Sequence, residues 1–186
     1  MGPAEERRTK PVAAEILGLA RQSHTEYVDE RGTFVRLLDD ALGATNGSPI
    51  CQLSLSANSQ AGTLRGMHAL LREATEWKAV SCIRGSILDV CIDCREESPT
   101  YRQVVMQELA GLRPQSLTIP PGVLHGYITL STDAWVLYGM TAEYDPNLEY
   151  GVRWDDPLLG IDWPISPTVV STKDQSWPIL TEPPVL

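Results

Sequence analysis

The fold of this chain is indicated most clearly by residues 116–130, which are Ser116-Leu117-Thr118-Ile119-Pro120-Pro121-Gly122-Val123-Leu124-His125-Gly126-Tyr127-Ile128-Thr129-Leu130. Two β-rich runs, Ser116 to Ile119 and Gly126 to Leu130, flank a turn with two prolines and a glycine. Short strands bounded by Pro and Gly are typical of all-β proteins, and a turn of this kind can close a small jelly-roll barrel. We therefore place His125 in a loop before the second strand.

Similar short extended runs occur on both sides of this stretch. They are Thr33 to Leu38, Ile50 to Ser56, Ala79 to Ile83, Ser86 to Ile92, Tyr101 to Leu109 and Ala134 to Met140, mostly separated by Gly, Pro, Asp or Ser. Many short strands at roughly even spacing predict an all-β jelly-roll sandwich or barrel. Short helical segments are expected near the termini, at Ala13 to Leu19 and within residues 145–186. We expect one domain over residues 26–186, preceded by an arm of residues 1–25.

The composition limits the classes of function. A net charge of −9 argues against a nucleic-acid surface, although a few Arg and Lys in one pocket can still bind an anion. The 42% hydrophobic and 21% charged contents are those of an ordinary globular protein. No apolar run approaches the roughly 18–20 residues of a membrane span, and the N-terminus lacks the apolar core of a secretory signal. We expect a cytoplasmic protein.

The four cysteines do not form a metal or redox motif. Cys91 and Cys94 have the spacing of half a zinc site, but no second such pair exists. Both follow a strand-like run, in which positions 91 and 94 point to opposite faces. The sequence therefore predicts reduced cysteines that pack in the protein or lie near a turn.

The histidines are too few for a typical catalytic metal site. His68 lies in a mostly apolar strand, where a histidine alone is more often structural than catalytic. A His-x-His pair is absent, because position 70 is Leu70. With His125 as the only other candidate and no clear third ligand, we expect no metal.

Taken in order, the motifs of this chain resemble the dTDP-4-dehydrorhamnose 3,5-epimerases of RmlC type and related nucleotide-sugar epimerases, over about residues 27–178. The matching segments are 29–34, 64–68, 84–90, 97–101, 120–126, Leu137-Tyr138, 144–146, 153–157, 160–164 and Ser171-Thr172-Lys173-Asp174. Each motif is weak alone, but their ordered succession is highly specific.

The resemblance implies a cupin jelly-roll enzyme that needs no metal and no other cofactor. It implies a homodimer with an exchanged N-terminal strand and a nucleotide-diphosphate-sugar substrate. By motif position, His68 matches the general base, Asp174 the carboxylate that orients it, Tyr138 the general acid, and Lys78 the lysine near the substrate carbonyl.

The resemblance also implies a set of substrate-binding residues. Arg65, and Arg31 from the partner subunit, match the positions that hold the diphosphate. His125, Lys173, Gln52 and Phe34 match further positions in the pocket.

The chemistry of these side chains suits proton transfer beside a ketone. Such a proton can be removed only if charge on the enolate oxygen is stabilised, which Lys78 could do while His68 accepts the proton. Inversion then requires a proton from the other face of the sugar, and Tyr138 is a suitable donor on a different strand. We hypothesise epimerisation at carbon 3, carbon 5 or both of a nucleotide-linked 4-keto-6-deoxyhexose.

Other interpretations remain open at this point. Alone, Tyr138 would be a packed aromatic, Lys78 a solvated charge, and Asp174 a turn or helix cap. Departures from the family pattern, including Ala69-Leu70 after the histidine and Gly139, leave the sugar, the nucleotide and the epimerised carbon open. The rival functions are a ketoisomerase on the same scaffold, a non-catalytic sugar-nucleotide-binding cupin and a metal-dependent cupin oxygenase.

Overall fold

The structure, a computed structural model, describes residues 15–37, 45, 47–71, 74–111 and 113–186. Its strands are β1 (Ala20–Ser23), β2 (Glu26–Asp29), β3 (Gly32–Val35), β4 (Gln52–Asn58), β5 (Thr63–Leu70), β6 (Lys78–Arg84), β7 (Ser86–Asp93), β8 (Val104–Ala110), β9 (Gln115–Ile119), β10 (Val123–Thr129), β11 (Ala134–Met140), β12 (Glu149–Gly151) and β13 (Val169–Val170). One short helix follows, α1 (Thr172–Ser176). In these ranges, no helix has the length and apolarity needed to cross a membrane.

Most of the strands form two sheets. The first has the order β1-β9-β6-β11-β4, and the second has the order β12-β5-β10-β7-β8 with β13 added beside β5. The ladders are antiparallel, apart from the parallel pair of β13 and β5. Strands β2 and β3 form a separate hairpin. The prediction of an all-β, two-sheet architecture is confirmed.

Strands β7 and β10 of the second sheet are buried on both faces. Side chains such as Ile87 and Tyr127 join the core cluster between the two sheets. Neighbouring positions such as Val90 and Leu124 join a second cluster, which the chain after β12 covers with residues such as Leu159. Because alternate side chains of a strand point to opposite faces, this double burial explains why β10 is almost continuously apolar.

The buried cysteines occupy the two clusters as the strand pattern predicts. Cys91 packs in the cluster between the sheets, whereas Cys94 packs in the outer cluster, and both are free thiols. Burial is the main cause that raises the pKa of both thiols, that of Cys94 to about 12. Both therefore stay protonated and unreactive at neutral pH.

The described part of the predicted N-terminal arm contributes to the sheet. Ala20–Ser23 pairs with Gln115–Thr118 at the edge of the first sheet, and Ile16 is buried in the core. The prediction of a helical patch from Ala13 to Leu19 is wrong for its described part, because residues 15–19 form coil and a turn. Ala13 and Ala14 of that patch, and Leu38 of the predicted strand, lie outside the described residues. The boundary between an arm and a domain at residue 25 stays a prediction.

The predicted loop position of His125 is wrong. Strand β10 begins at Val123, where pairing with Asp93 of β7 starts, so His125 is the third residue of the strand. The turn is completed by Gly122, whose φ of +77° is disfavoured for other residues. Pairing with β7 therefore begins at Val123, three residues before the predicted strand of Gly126 to Leu130.

A buried carboxylate organises the turn between β7 and β8. Asp93 is fully buried, and it accepts hydrogen bonds from Arg95 Nε at 2.8 Å, Ser98 Oγ at 2.6 Å and Thr100 Oγ1 at 2.6 Å. Burial alone would raise the pKa of Asp93, but these hydrogen bonds lower it to about 2. Because these contacts hold residues 98–103 in turns, strand β8 starts at Val104 rather than at Tyr101 as predicted.

We predict that Asp93→Asn lowers the free energy of unfolding by about 2–3 kcal/mol at pH 7, the value of the pKa shift. The folded pKa lies below the ordinary value, so this contribution is present above about pH 4 and is lost as the pH falls toward 2. Urea unfolding at several pH values measures it, and the variant should show a flatter pH dependence in that window.

Asp133→Asn is the matched control for this prediction. Asp133 forms an exposed ion pair with Arg84, and its φ of 55° is tolerated by Asn as well as by Asp. Exposed pairs contribute little, so a change below about 1 kcal/mol is expected. Equal losses in the two variants would contradict a special role for the Asp93 network.

Candidate active site

Eight of the ten predicted site residues line a single cavity of about 400 Å³ between the two sheets. They are Gln52, Arg65, His68, Lys78, His125, Tyr138, Lys173 and Asp174. The other two, Arg31 and Phe34, are not among its lining residues. The roles of the ten residues stay predictions, but most of the set converges in space.

His68 and Asp174 form a close pair at the cavity wall. His68 Nε2 lies 2.6 Å from Asp174 Oδ1. Burial would raise the pKa of Asp174, but the hydrogen bond and charge of His68, together with the Ser171 hydroxyl and the Gly66 N–H, lower it below its usual value. A carboxylate in this position favours the tautomer with a proton on Nε2, so Nδ1 is the nitrogen that can accept a proton.

The short helix α1 positions Asp174 beneath the imidazole. Ser171 caps the helix, because its hydroxyl accepts a hydrogen bond from the Asp174 N–H at 3.0 Å. The other end of the helix is held by Trp177, whose indole fills the space beside Gly151. A Cβ at Gly151 would lie 2.0 Å from that ring, so only glycine admits it.

Two glycines bring His68 and His125 to facing positions on neighbouring strands. A Cβ on Gly66 would lie 2.6 Å from the Cα of Gly126, so β5 and β10 approach closely there. The register shifts between His125 and Tyr127, which leaves His125 directly opposite His68.

His125 has a carboxylate partner of its own. Its Nε2 lies 2.8 Å from Oδ2 of Asp89, a fully buried residue of β7. Two histidines of the cavity are therefore paired with aspartates, and the imidazole of His68 is one-third exposed whereas that of His125 is almost fully buried.

The two lysines of the cavity are also held by carboxylates. Lys78 Nζ lies 2.6 Å from Glu76 Oε2, and Lys173 is paired with Glu149, which also accepts a hydrogen bond from the Tyr144 hydroxyl at 2.9 Å. These contacts fix the ammonium groups in place. Lys78 is only 19% exposed, so its charge acts in a region with little water.

Arg65 has a neutral partner. Its Nε donates a hydrogen bond of 3.0 Å to Asn58 Oδ1. Because the amide carries no charge, this contact orients the guanidinium and leaves its positive charge available for an anion.

Tyr138 is joined to a second tyrosine in the cavity wall. Its hydroxyl lies 3.0 Å from the hydroxyl of Tyr127, which in turn lies 3.0 Å from Ser56 Oγ. Burial, and next the neighbouring Tyr127, raise the pKa of Tyr138 well above the ordinary value for a phenol. The group is therefore protonated at neutral pH and can act as a proton donor.

The two groups proposed for proton transfer come from opposite walls of the cavity. His68 lies on β5 of the second sheet, whereas Tyr138 lies on β11 of the first sheet, together with Lys78 on the adjacent β6. Because the sheets pack face to face, the two side chains approach the cavity from opposite sides.

Arg31 and Phe34 lie on the separate hairpin of β2 and β3. The Arg31 side chain is 83% exposed and bonds to Asp29 of the same hairpin, with Nε to Oδ1 at 3.1 Å. Phe34 is 60% exposed and contacts the ring of Tyr27. Within the described part of this chain, neither residue is among those that line the cavity.

Several cavity residues were not selected from the sequence. They are Ser54, Glu76, Tyr127, Met140, Tyr144, Glu149 and Ser171, and Asp89 lies behind them. Period-two alternation could have placed Ser54 beside Gln52, and Tyr127 beside His125, on shared faces. Glu76 lies two residues before Lys78, on the same face, whereas Glu149 carries no local signal because it meets Lys173 only through the fold.

Comparison with known proteins identifies close relatives. The family model described as dTDP-4-dehydrorhamnose 3,5-epimerase matches residues 13–182. A protein of that name from Sinorhizobium fredii is 43% identical over 163 residues, which are 86% of this chain and 84% of the relative. A dTDP-4-dehydrorhamnose 3-epimerase from Streptomyces niveus is 32% identical over 94% of this chain and 84% of its own length.

The same relationship holds for solved structures. The crystal structure of dTDP-4-dehydrorhamnose 3,5-epimerase from Bacillus anthracis, with TDP and PPi bound, superposes with a TM-score of 0.82 at 30% identity. The match covers 87% of this chain and 94% of that protein. The jelly-roll fold expected from the motif order is therefore confirmed.

Proposed function

Because this chain belongs to the dTDP-4-dehydrorhamnose 3,5-epimerase family, we propose that it inverts carbon 3, carbon 5 or both of a dTDP-linked 4-keto-6-deoxyhexose. The observation that carries the proposal is the placement of His68 and Tyr138 on opposite walls of one cavity. We further expect a cytoplasmic homodimer, in which each cavity is completed by the other subunit.

The first step is removal of the proton beside the ketone. His68 accepts it on Nδ1, and the C–H bond electrons move into the enolate. Asp174, bound to Nε2, stabilises the imidazolium that results, as in other His–carboxylate pairs. Its lowered pKa keeps it ionised through the neutral range, so the pair is ready before substrate binds.

Negative charge then develops on the carbonyl oxygen. Lys78 stabilises this charge from the first sheet, where Glu76 restricts the position of its ammonium group. A preorganised cation in a site of low polarity is worth more than the same cation in water, because it needs no reorientation during the reaction.

The second step returns a proton to the opposite face of the carbon. The Tyr138 O–H bond breaks, the enolate electron pair forms the new C–H bond, and the ketone is restored. Solvent then reprotonates Tyr138 and takes the proton from His68. Retention of configuration results instead if His68 returns the proton that it removed.

The proposal is tested by incubation of the protein with dTDP-4-dehydrorhamnose in D₂O. Proton NMR should show deuterium at carbon 3, carbon 5 or both, together with epimers at the same positions. Migration of the carbonyl without inversion would instead support the ketoisomerase. Tight binding of dTDP without deuterium incorporation would support a binding protein.

The hairpin of β2 and β3 supports a dimer in which Arg31 and Phe34 enter the partner's cavity. Its apolar side chains are largely exposed, with Val28 at 72% and Phe34 at 60%. Among the described residues, strand β4 forms an edge of the first sheet, and it exposes Leu53 and Leu55 on its outer face. Exposed apolar groups and an unpaired strand edge are surfaces that a second copy of the chain can cover.

This arrangement predicts complementation between two inactive variants. In a mixed dimer of Arg31→Ala and His68→Ala, one cavity receives both His68 and an intact Arg31. After subunit exchange of equal amounts, roughly a quarter of wild-type activity is expected, because half of the dimers are mixed and each has one complete site. Inversion rates before and after mixing measure the recovery.

The matched control mixes Lys78→Ala with His68→Ala. Both residues line the cavity of their own chain, so no complete site can form and activity should stay absent. Absence of recovery in the Arg31 mixture, once exchange is shown by mass-tagged subunits, would contradict the shared cavity.

A further inference from the structure

The hydroxyl of Tyr127 is the centre of a hydrogen-bond network behind Tyr138. It lies 3.0 Å from the Tyr138 hydroxyl, 3.0 Å from Ser56 Oγ and 3.3 Å from Asn58 Nδ2. Asn58 is held in turn by Arg65 at 3.0 Å. Tyr127 is 1% exposed, so the network is isolated from bulk water on this side.

The same oxygen positions allow two orders of the protons. In one order, Tyr138 donates to Tyr127 and Tyr127 donates to Ser56, so the Tyr138 proton points away from a bound sugar. In the other order, Tyr127 donates to Tyr138, and the Tyr138 proton is free to point into the cavity. Asn58 Nδ2 can donate to Tyr127 in both orders, and Ser56 can donate to Asn58 Oδ1 at 3.2 Å.

We propose that Tyr127 is a positioning residue for proton donation, because its hydroxyl donates to Tyr138 in the second order. The inference rests on the proposed function, in which Tyr138 is the acid. Tyr127 directs the Tyr138 proton toward the sugar carbon and stabilises the phenolate that remains after transfer. Tyr127 keeps its own proton as a hydrogen-bond donor, and solvent restores the Tyr138 proton.

The partly buried position of Tyr138 gives this hydrogen bond its importance. Burial destabilises its phenolate, which is the main reason for its raised pKa. In the first order Tyr127 accepts the Tyr138 proton, which favours the neutral phenol and adds to the raised pKa of Tyr138. In the second order Tyr127 donates to the phenolate and opposes the effect of burial, and a hydrogen bond to an ion is stronger than one between neutral groups. The nearby charge of Arg65 favours the phenolate as well.

Tyr127→Phe tests the inference, since it removes the donor and retains the ring. We expect net inversion to slow by about ten- to a hundredfold, the usual value of a hydrogen bond to a charged group. Deuterium incorporation without inversion should stay within about twofold of wild type, because His68 performs that step. KM should change little, as the defect lies after binding.

Two further variants separate positioning from a structural role. Tyr101→Phe removes a hydroxyl that contacts Pro184 O at 3.4 Å, outside the cavity, and should leave both rates unchanged. Ser56→Ala removes the acceptor of the Tyr127 proton in the first order, together with a hydroxyl that lowers the pKa of Tyr138. Inversion in Ser56→Ala should therefore stay faster than in Tyr127→Phe, because the Tyr127 donor remains.

The outcomes distinguish this inference from the proposed function. Absence of deuterium incorporation by the wild-type protein would refute the function itself. Wild-type inversion in Tyr127→Phe, or a parallel fall of exchange and inversion, would overturn the positioning role alone. If Tyr127→Phe fails to fold, a fall of inversion by more than about tenfold with intact exchange in Ser56→Ala would likewise overturn the positioning role, because that variant retains the Tyr127 donor.

Discussion

Replacement of His68 by Asn is expected to abolish deuterium incorporation at carbons 3 and 5. The Asn amide cannot accept the proton. It can still form a hydrogen bond with Asp174, whose Oδ1 lies 2.6 Å from His68 Nε2 in the wild-type protein. Loss of a general base typically costs about 100- to 10,000-fold, and inversion should fall at least as much as exchange because it follows the same step. Proton NMR in D₂O measures both rates.

The matched control for this variant is His24→Asn. His24 is half-buried and contacts Ser116 Oγ at 2.8 Å, outside the residues that line the cavity. Its replacement should preserve both rates, and dTDP should still raise the melting temperature of His68→Asn, because diphosphate binding is assigned to Arg65. Unchanged exchange in His68→Asn would refute the proposed base.

Replacement of Tyr138 by Phe is expected to separate exchange from inversion. His68 can still remove a proton and return a deuteron to the same face, so incorporation should persist. Delivery to the other face loses its donor, and inversion should fall by about 100- to 10,000-fold. The residue is protonated at neutral pH owing to its raised pKa, so wild-type inversion should show no loss of this acid at pH 7–9.

The effect of Tyr138→Phe is interpreted by comparison with Tyr127→Phe and Tyr101→Phe. The three variants each lose one phenol oxygen, but only the first loses a donor that faces the sugar in the proposed mechanism. We expect inversion to decrease in the order Tyr101→Phe, Tyr127→Phe, Tyr138→Phe. Equal loss of exchange and inversion in Tyr138→Phe would count against the phenol as acid.

The NMR experiment also determines which carbon is epimerised. Relatives at similar identity include 3,5-epimerases and a 3-epimerase, so family membership alone does not select between them. Carbons 3 and 5 both flank the ketone at carbon 4, and one base and one acid can act on either if the ring shifts in the cavity. Deuterium at one carbon or at both gives the answer directly.

The roles assigned to individual residues depended on sequence order, whereas their convergence depended on the fold. His68 and Asp174 are more than a hundred residues apart, and only the family pattern related them before the structure placed them 2.6 Å apart. The sequence predicts a loop at His125 because the apolar run begins only after Gly126. The pairing of Val123 to His125 with β7, which makes this segment a strand, has no local sequence signal. Tyr127 was missed because a buried tyrosine in a strand is usually a packing residue.

The sequence alone indicated the class of architecture, the family and eight of the residues that line the cavity. Alternating apolar residues and Pro–Gly turns are local properties, and ordered motifs can be read without coordinates. The tertiary structure was needed to show which sheet carries each group, that Glu149 pairs with Lys173, and that the Tyr138 hydroxyl contacts Tyr127. These are long-range contacts set by strand order and register, and a shift of one residue in register would turn each side chain to the other face.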